Sequence, residues 1–309
     1  MAMTQETLFA KAKLVIERGI RDRDRNEQDT FQLWAAVSLE LLAKSALGKI
    51  HPALVADPTH LTSLLFAVGH LDSTDIRTIQ AKTVYERCKR VVHGFDETCE
   101  RFCNALAHAR NAELHSGASP FGSIPLERWQ PKYWSVVEIL LTAQGLKLND
   151  FLGETEAVAA AKIILDAREA LVAAVQGRVK RHSSEFLLRG NPDEQQRLRE
   201  LSAAAVRLMS NESEVPQACP ACQCLGRLSG ELVHERELSS EPDDIDPETG
   251  EALSWTRMVE ETYASDSFWC PTCRLELDGE EEVEAAQLPD SFTFETAKEY
   301  DGSDEYGNE

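Results

Sequence analysis

The chain has 309 residues, of which 42% are hydrophobic and 28% charged, and a formal net charge of −21. That length buries a sizeable core and leaves room for two or three domains. No apolar run reaches the ~18 residues of a membrane-spanning helix, and the opening segment MAMTQETLFAKAKLVIERGI carries charges throughout, unlike a signal peptide. A soluble, cytoplasmic chain that does not enter a membrane is expected.

The charge is unevenly placed. Residues 1–230 hold 28 acidic and 28 basic side chains, whereas residues 231–309 hold 25 acidic and 4 basic ones. The N-terminal part is therefore free to meet a polyanion, and the C-terminal part repels one.

In chain order, residues 5–26 predict a first helix that ends in the solvated run RDRDRNEQD. Asp29 with Gln32 reads as a capping box. It opens a long apolar helix that runs to His51-Pro52, where the proline stops it. Glu40 and Lys44 within it are spaced for an i,i+4 pair. Helices are predicted at 60–70 and at 74–92, the latter capped by Ser73, and Asp96 caps the next, which ends at Gly117. Further helices are predicted over 126–149, 154–188 and from Asn191-Pro192 to about Met209. No strand alternation occurs in 1–210, so this part reads as all-α.

The stretch CNALAHARNAELHSG (103–117) breaks an Ala- and Leu-rich helix with Arg110, Asn111, Glu113 and His115. Arg holds a phosphate with a planar fork of charged donors, and His exchanges protons near neutral pH. At ~100° per residue Asn111 and His115 share a face, while Arg110 and His115 lie roughly 140° apart. One helix does not easily close both onto one atom; two copies meeting across a two-fold axis can. A polar helix end at the surface is the alternative reading.

After the polar linker SNESEVPQ come two CPxC pairs, Cys219/Cys222 and Cys270/Cys273. They flank strand-like runs and an acidic turn-rich insert, SEPDDIDPETGEA. Without a secretory signal the pattern means zinc rather than disulfides. Two knuckles on β-hairpins supply four thiolates to one Zn²⁺, a closed structural site of the zinc-ribbon kind. Cys224 and His234 are stand-in ligands in reserve, and Cys88, Cys99 and Cys103 read as core residues. Residues 278–309 are acidic and poor in apolar side chains, which predicts disorder. The island SFTFE has the alternation of a strand and could dock on the ribbon or on a partner.

With an all-α domain around it, RNAELH resembles the Arg-x4–6-His motif of the HEPN superfamily, and SLELLAKSALGKIHPAL resembles the apolar helix, with internal Glu and Lys, that precedes that motif. The likeness spans roughly 10–150. It implies a mainly α fold with a HEPN-like all-α domain over 1–150 and a helical extension over 151–212. The four-cysteine zinc ribbon with its acidic insert (213–277) and the acidic tail (278–309) complete the chain. The likeness also implies a metal-independent endoribonuclease that acts as a homodimer with a composite active site. His115 would serve as general base or acid in attack of a ribose 2′-OH on the neighbouring phosphate, Arg110 would stabilise the phosphoryl charge, and Asn111 would orient His115 or bond the phosphate. The products would be a 2′,3′-cyclic phosphate and a 5′-OH, with DNA left uncut. Members of this kind attack tRNA or other RNA in antiphage defence or as toxins. Others have lost catalysis, so the competing expectation is a silent dimerisation scaffold. In either case residues 213–309 would recruit a regulatory protein partner.

Overall fold

The computed structural model describes residues 3–207, 213–245 and 252–301. Among these the fold is mainly α-helical with a small antiparallel sheet, and the chain divides into two compact units, Met1–Arg168 and Glu169–Glu309.

The N-terminal unit is built around two long helices, α1 (Gln5–Asp24) and α2 (Gln28–Ile50). Thr4 caps α1 by accepting the Thr7 N–H. Leu8, Ala12, Val15, Ile16 and Gly19 form its buried stripe, at the i, i+3, i+4 spacing that puts them on one face. Helix α2 is small or apolar on nearly every side (Phe31, Ala35, Ala36, Leu39, Leu42, Ala43, Ala46, Leu47) and is accordingly central. Small residues on both helices let them come close. A Cβ on Gly19 would stand 3.0 Å from that of Trp34, and Ser38 donates to the Ala12 carbonyl at 2.8 Å.

Around this pair lie α3 (Leu61–Ala67), α4 (Ala81–Val91), α5 (Glu97–His115), α6 (Leu126–Thr142), α7 (Leu148–Leu152) and the first half of α8 (Glu154–Leu187). Trp129, Tyr133 and Trp134 of α6 pack edge to face, and the Tyr133 hydroxyl donates to the Ala35 carbonyl at 3.2 Å.

Local expectations fail at three places in this unit. The capping box does not form: α2 starts two residues earlier, with Glu27 rather than Asp29 at its N-cap, and Gln32 turns into the core to donate to the Ile124 carbonyl at 2.7 Å. Helix α4 begins at Ala81 rather than after Ser73. Residues 76–79 instead run alongside 55–57, with a bridge between Ala56 and Thr78 and the Ile79 N–H donating to the Val55 carbonyl. This short ladder is a departure from helix in a segment expected to be all-α. Ser116, in extended backbone, closes α5 in place of Gly117.

The C-terminal unit holds the rest of α8, α9 (Pro192–Arg207), strands β1 (Glu214–Ala218), β2 (Leu225–Ile245), β3 (Ala252–Trp269), β4 (Glu276–Asp278) and β5 (Ser291–Asp301), and α10 (Glu280–Ala285). The sheet runs β1-β2-β3-β4, with β5 also on β3. Strands β4 and β5 share one side of β3, the first pairing Ser267–Trp269 and the second Ser254–Ala264. Strand β2 slips register repeatedly through bulges, whereas β5 pairs without a slip.

Two expectations change in this unit. Most of the acidic insert is strand, since β2 reaches Ile245 and β3 resumes at Ala252; residues 246–251 lie outside the described residues. The disorder expected of 278–309 does not hold through 301, where α10 and β5 form. The docking of SFTFE on the sheet explains why: Phe292 stacks on Tyr263 at 5.4 Å, and Phe294 meets both rings edge to face. Residues 302–309, the linker residues 208–212 and the expected end of α9 at Met209 lie outside the described residues. The helical extension expected over 151–212 belongs to both units, since α8 crosses the boundary at 168.

Candidate active site and metal centre

Helix α5 carries the polar set of the N-terminal unit. Asp96 caps it by accepting the Cys99 N–H at 2.7 Å, while Cys99, Cys103 and Leu106 bury its inner face. Arg110 follows at the edge of that face, its side chain 17% exposed. Its Nη1 is ion-paired with Glu40 of α2, and Nε and Nη2 donate to the Asn111 side-chain oxygen at 3.2 and 3.0 Å. The other Glu40 oxygen accepts from Lys44 Nζ at 2.8 Å, and Lys44 also donates to Thr78 at 3.1 Å. The i,i+4 pair expected of Glu40 and Lys44 is therefore one link of a longer chain, Thr78–Lys44–Glu40–Arg110–Asn111. Burial alone would raise the Glu40 carboxyl, but the two cations outweigh it and hold the pKa below the ordinary value.

Asn111 and His115 are exposed, and His115 ends the helix. The structure thus joins Arg110 to Asn111. Among the described residues no hydrogen bond links His115 to either; for Arg110 this agrees with the angular separation along the helix, whereas Asn111 shares the His115 face but is engaged by Arg110. Between them Glu113 has one carboxylate oxygen out of water with no hydrogen-bond partner. Sequence reasoning missed the role of Glu40, because the contact spans seventy positions.

A second polar chain has the residue types of a hydrolase triad. His60 Nδ1 lies 2.8 Å from Ser63 Oγ, and its Nε2 is 3.5 Å from Asp75. Ser63 is 0% exposed and its oxygen already accepts the Arg77 N–H at 2.7 Å. No substrate carbonyl can reach it, so this is the start of α3 being tied down rather than a nucleophile.

The four expected cysteines converge in the C-terminal unit. The sulfurs of Cys219, Cys222, Cys270 and Cys273 all lie within 4.8 Å of one another, with Cys219–Cys273 at 3.5 Å and Cys222–Cys270 at 3.6 Å. Four thiolates at ~2.3 Å around a tetrahedral ion stand ~3.8 Å apart, so the donor set fits a metal ion such as zinc. The two loops are near copies. In one, the Cys219 N–H donates to the Cys224 carbonyl at 2.9 Å and Gln223 is left-handed (φ 62°); in the other, the Cys270 N–H donates to the Leu275 carbonyl at 2.9 Å and Arg274 is left-handed (φ 62°).

Cys224 therefore occupies the place of Leu275, a buried apolar position, and stands outside the cluster. His234 lies exposed on β2 and is also outside it. Thiols this close cannot all ionise unaided. Donation from Cys219 and Cys222 pulls the Cys270 thiol down, while its neighbours, Cys219 first, push Cys222 up. A bound cation removes that conflict by taking all four as thiolates.

No helix among the described residues is long and apolar enough to cross a membrane. No known protein family, curated protein or solved structure matches the chain.

Proposed function

We propose that the N-terminal unit is a HEPN-type, metal-independent endoribonuclease and that the four cysteines hold a structural zinc ion. The observation that carries the reading is the state of Arg110. Glu40 and Asn111 fix its guanidinium beside an exposed Asn111 and one helical turn from an exposed His115, and still leave an N–H on each terminal nitrogen for a phosphate oxygen. A pre-oriented cation of this kind stabilises charge that develops on a phosphoryl group. His115 moves the 2′-OH proton or protonates the leaving 5′-oxygen. Because Arg110 and His115 face apart on α5, the complete site is composite and needs a second copy of the chain. The substrate is RNA, tRNA among the candidates, and the biological setting is antiphage defence or toxicity. A regulatory protein partner binds through 213–309.

Cleavage of labelled tRNA and single-stranded RNA by the zinc-loaded protein, in magnesium-free buffer and again in EDTA, tests this. Wild type is expected to leave 2′,3′-cyclic phosphate ends. His115→Ala and Arg110→Ala are expected to lose at least about 100-fold. His115 is exposed, so its loss of activity does not come from unfolding. Full cleavage by both variants would sink the reading.

A second reading rests on the same ion pair. If Arg110 serves only to join α5 to α2, the unit is a silent scaffold, wild type is inert, and Arg110→Ala changes stability alone.

A further inference from the structure

Three side chains on or just beyond the helices of the C-terminal unit reach the backbone of the two cysteine loops. His182 of α8 bonds the Cys273 carbonyl through Nδ1 at 2.8 Å. The acceptor is a carbonyl, so Nδ1 carries the proton. Arg189, two residues past the end of α8, donates from Nη1 to the Thr272 carbonyl at 3.0 Å. Arg199 of α9 donates from Nε to the Cys222 carbonyl at 3.3 Å while its guanidinium lies over the Phe186 ring. Each loop is thus gripped at a ligand residue. The apolar contacts run the same way, since Val175 and Phe186 of α8 share one buried core with all four cysteine ligands.

We propose that His182, Arg189 and Arg199 form the outer shell of the metal centre, and that α9 and the part of α8 beyond Arg168 fold only when the four cysteines hold their ion. The inference is independent of whether Arg110 and His115 cut RNA.

The dependence follows from what each part has without the others. Helix α9 has 16 residues, close to the length at which an isolated helix is marginal in water. Its buried Gln195 is anchored to the Leu187 and Gly190 carbonyls next to it, and its other ties include Arg199 on the Phe186 ring and the Cys222 carbonyl, and Ser202, which accepts the Leu225 N–H of β2 at 3.0 Å. The loops in turn are short turns that hold ionisable sulfurs together. Once the ion leaves, the thiolates separate, the carbonyls of 222, 272 and 273 move, and three donors lose their acceptors together. Outer-shell partners of this kind orient the ligands and raise affinity for the metal.

Hydrogen exchange on the full zinc-loaded chain, before and after stripping by a chelator, tests the folding half. Amides of 169–207 are expected to lose protection while those of 28–150 keep theirs. Cobalt(II) titration, read by its thiolate charge-transfer band and by zinc competition, tests the shell. His182→Ala is expected to weaken binding about 10–100-fold, and His182→Asn, which keeps a donor at the Nδ1 position, to recover most of it. Arg189→Ala, at an exposed residue, is expected to weaken binding in the same direction. Unchanged protection of 169–207 on stripping, or wild-type affinity in both alanine variants, would overturn the proposal.

Discussion

At Glu40 the carboxylate stands between Lys44 and Arg110, and its pKa in the folded chain lies below the ordinary ~4.3 of an unfolded Glu. The stability it contributes is therefore present above that value and is lost as pH falls through the folded one. Glu40→Gln keeps the shape but leaves a buried lysine and a half-buried arginine without their counter-charge. A loss of about 2–4 kcal/mol at pH 7 is expected, and much less at pH 3; urea unfolding at the two pH values checks this. Burial pushes the thiols of Cys88 and Cys99 up to about 12, and Cys103 is also raised well above its usual value. All three are expected to resist alkylation in the native protein at pH 7.5 and to label on unfolding, as peptide mass spectrometry would show. The adjacency of Arg110 and Asn111 was legible in the sequence because it is local. The Glu40 partner was not, since helical periodicity places Lys44 beside Glu40 and says nothing about which residue of α5 comes to meet them.

Elements whose signals are local appear nearly where the sequence puts them: α5 behind Asp96, α9 behind Asn191-Pro192, and the two cysteine loops. Those that depend on distant chain do not. Residues 74–80 carry helical spacing, yet Ile79 and Thr78 find Val55 and Ala56 and stay extended. Composition predicts disorder after 278, and three aromatic rings that meet across β3 and β5 outweigh it. Gly226 of β2 shows how tightly the sheet closes over the metal loops. A Cβ there would lie 2.5 Å from the Phe268 ring and 2.7 Å from the Trp269 carbonyl. Gly226→Ala is expected to cost about 1–3 kcal/mol and to lower zinc affinity, because Trp269 leads directly into Cys270; thermal melting with and without added zinc would show both effects.

For the whole molecule the decisive element is α8, a single helix of 34 residues. Ala157, Ala160 and Ile164 belong to the core of the N-terminal unit, and Val175 and Phe186 to that of the C-terminal one. Among the described residues the core of the N-terminal unit contains none of the four clustered cysteines, so a fragment of residues 1–168 is expected to fold without metal and to melt cooperatively. In the full chain, calorimetry should resolve one transition that a chelator abolishes and one that it leaves in place; a single chelator-sensitive transition would contradict that division. The two-unit division could not be read from the sequence, because helical periodicity runs through residue 168 without a break.

The order in which the parts are synthesised now matters. When residue 168 is made, everything in the N-terminal core exists, but the last metal ligand is Cys273. At ~5–20 residues per second the ribosome needs roughly 5–20 s to cover the interval. Throughout that time Leu171, Val172, Val175 and Val179 have no partner to cover them. The nascent chain thus carries a finished bundle with an apolar segment attached that has not yet folded. On the proposal that these residues fold only around the bound ion, metal supply during translation is expected to affect how much of the chain escapes aggregation, which expression in metal-depleted and metal-supplemented medium would check.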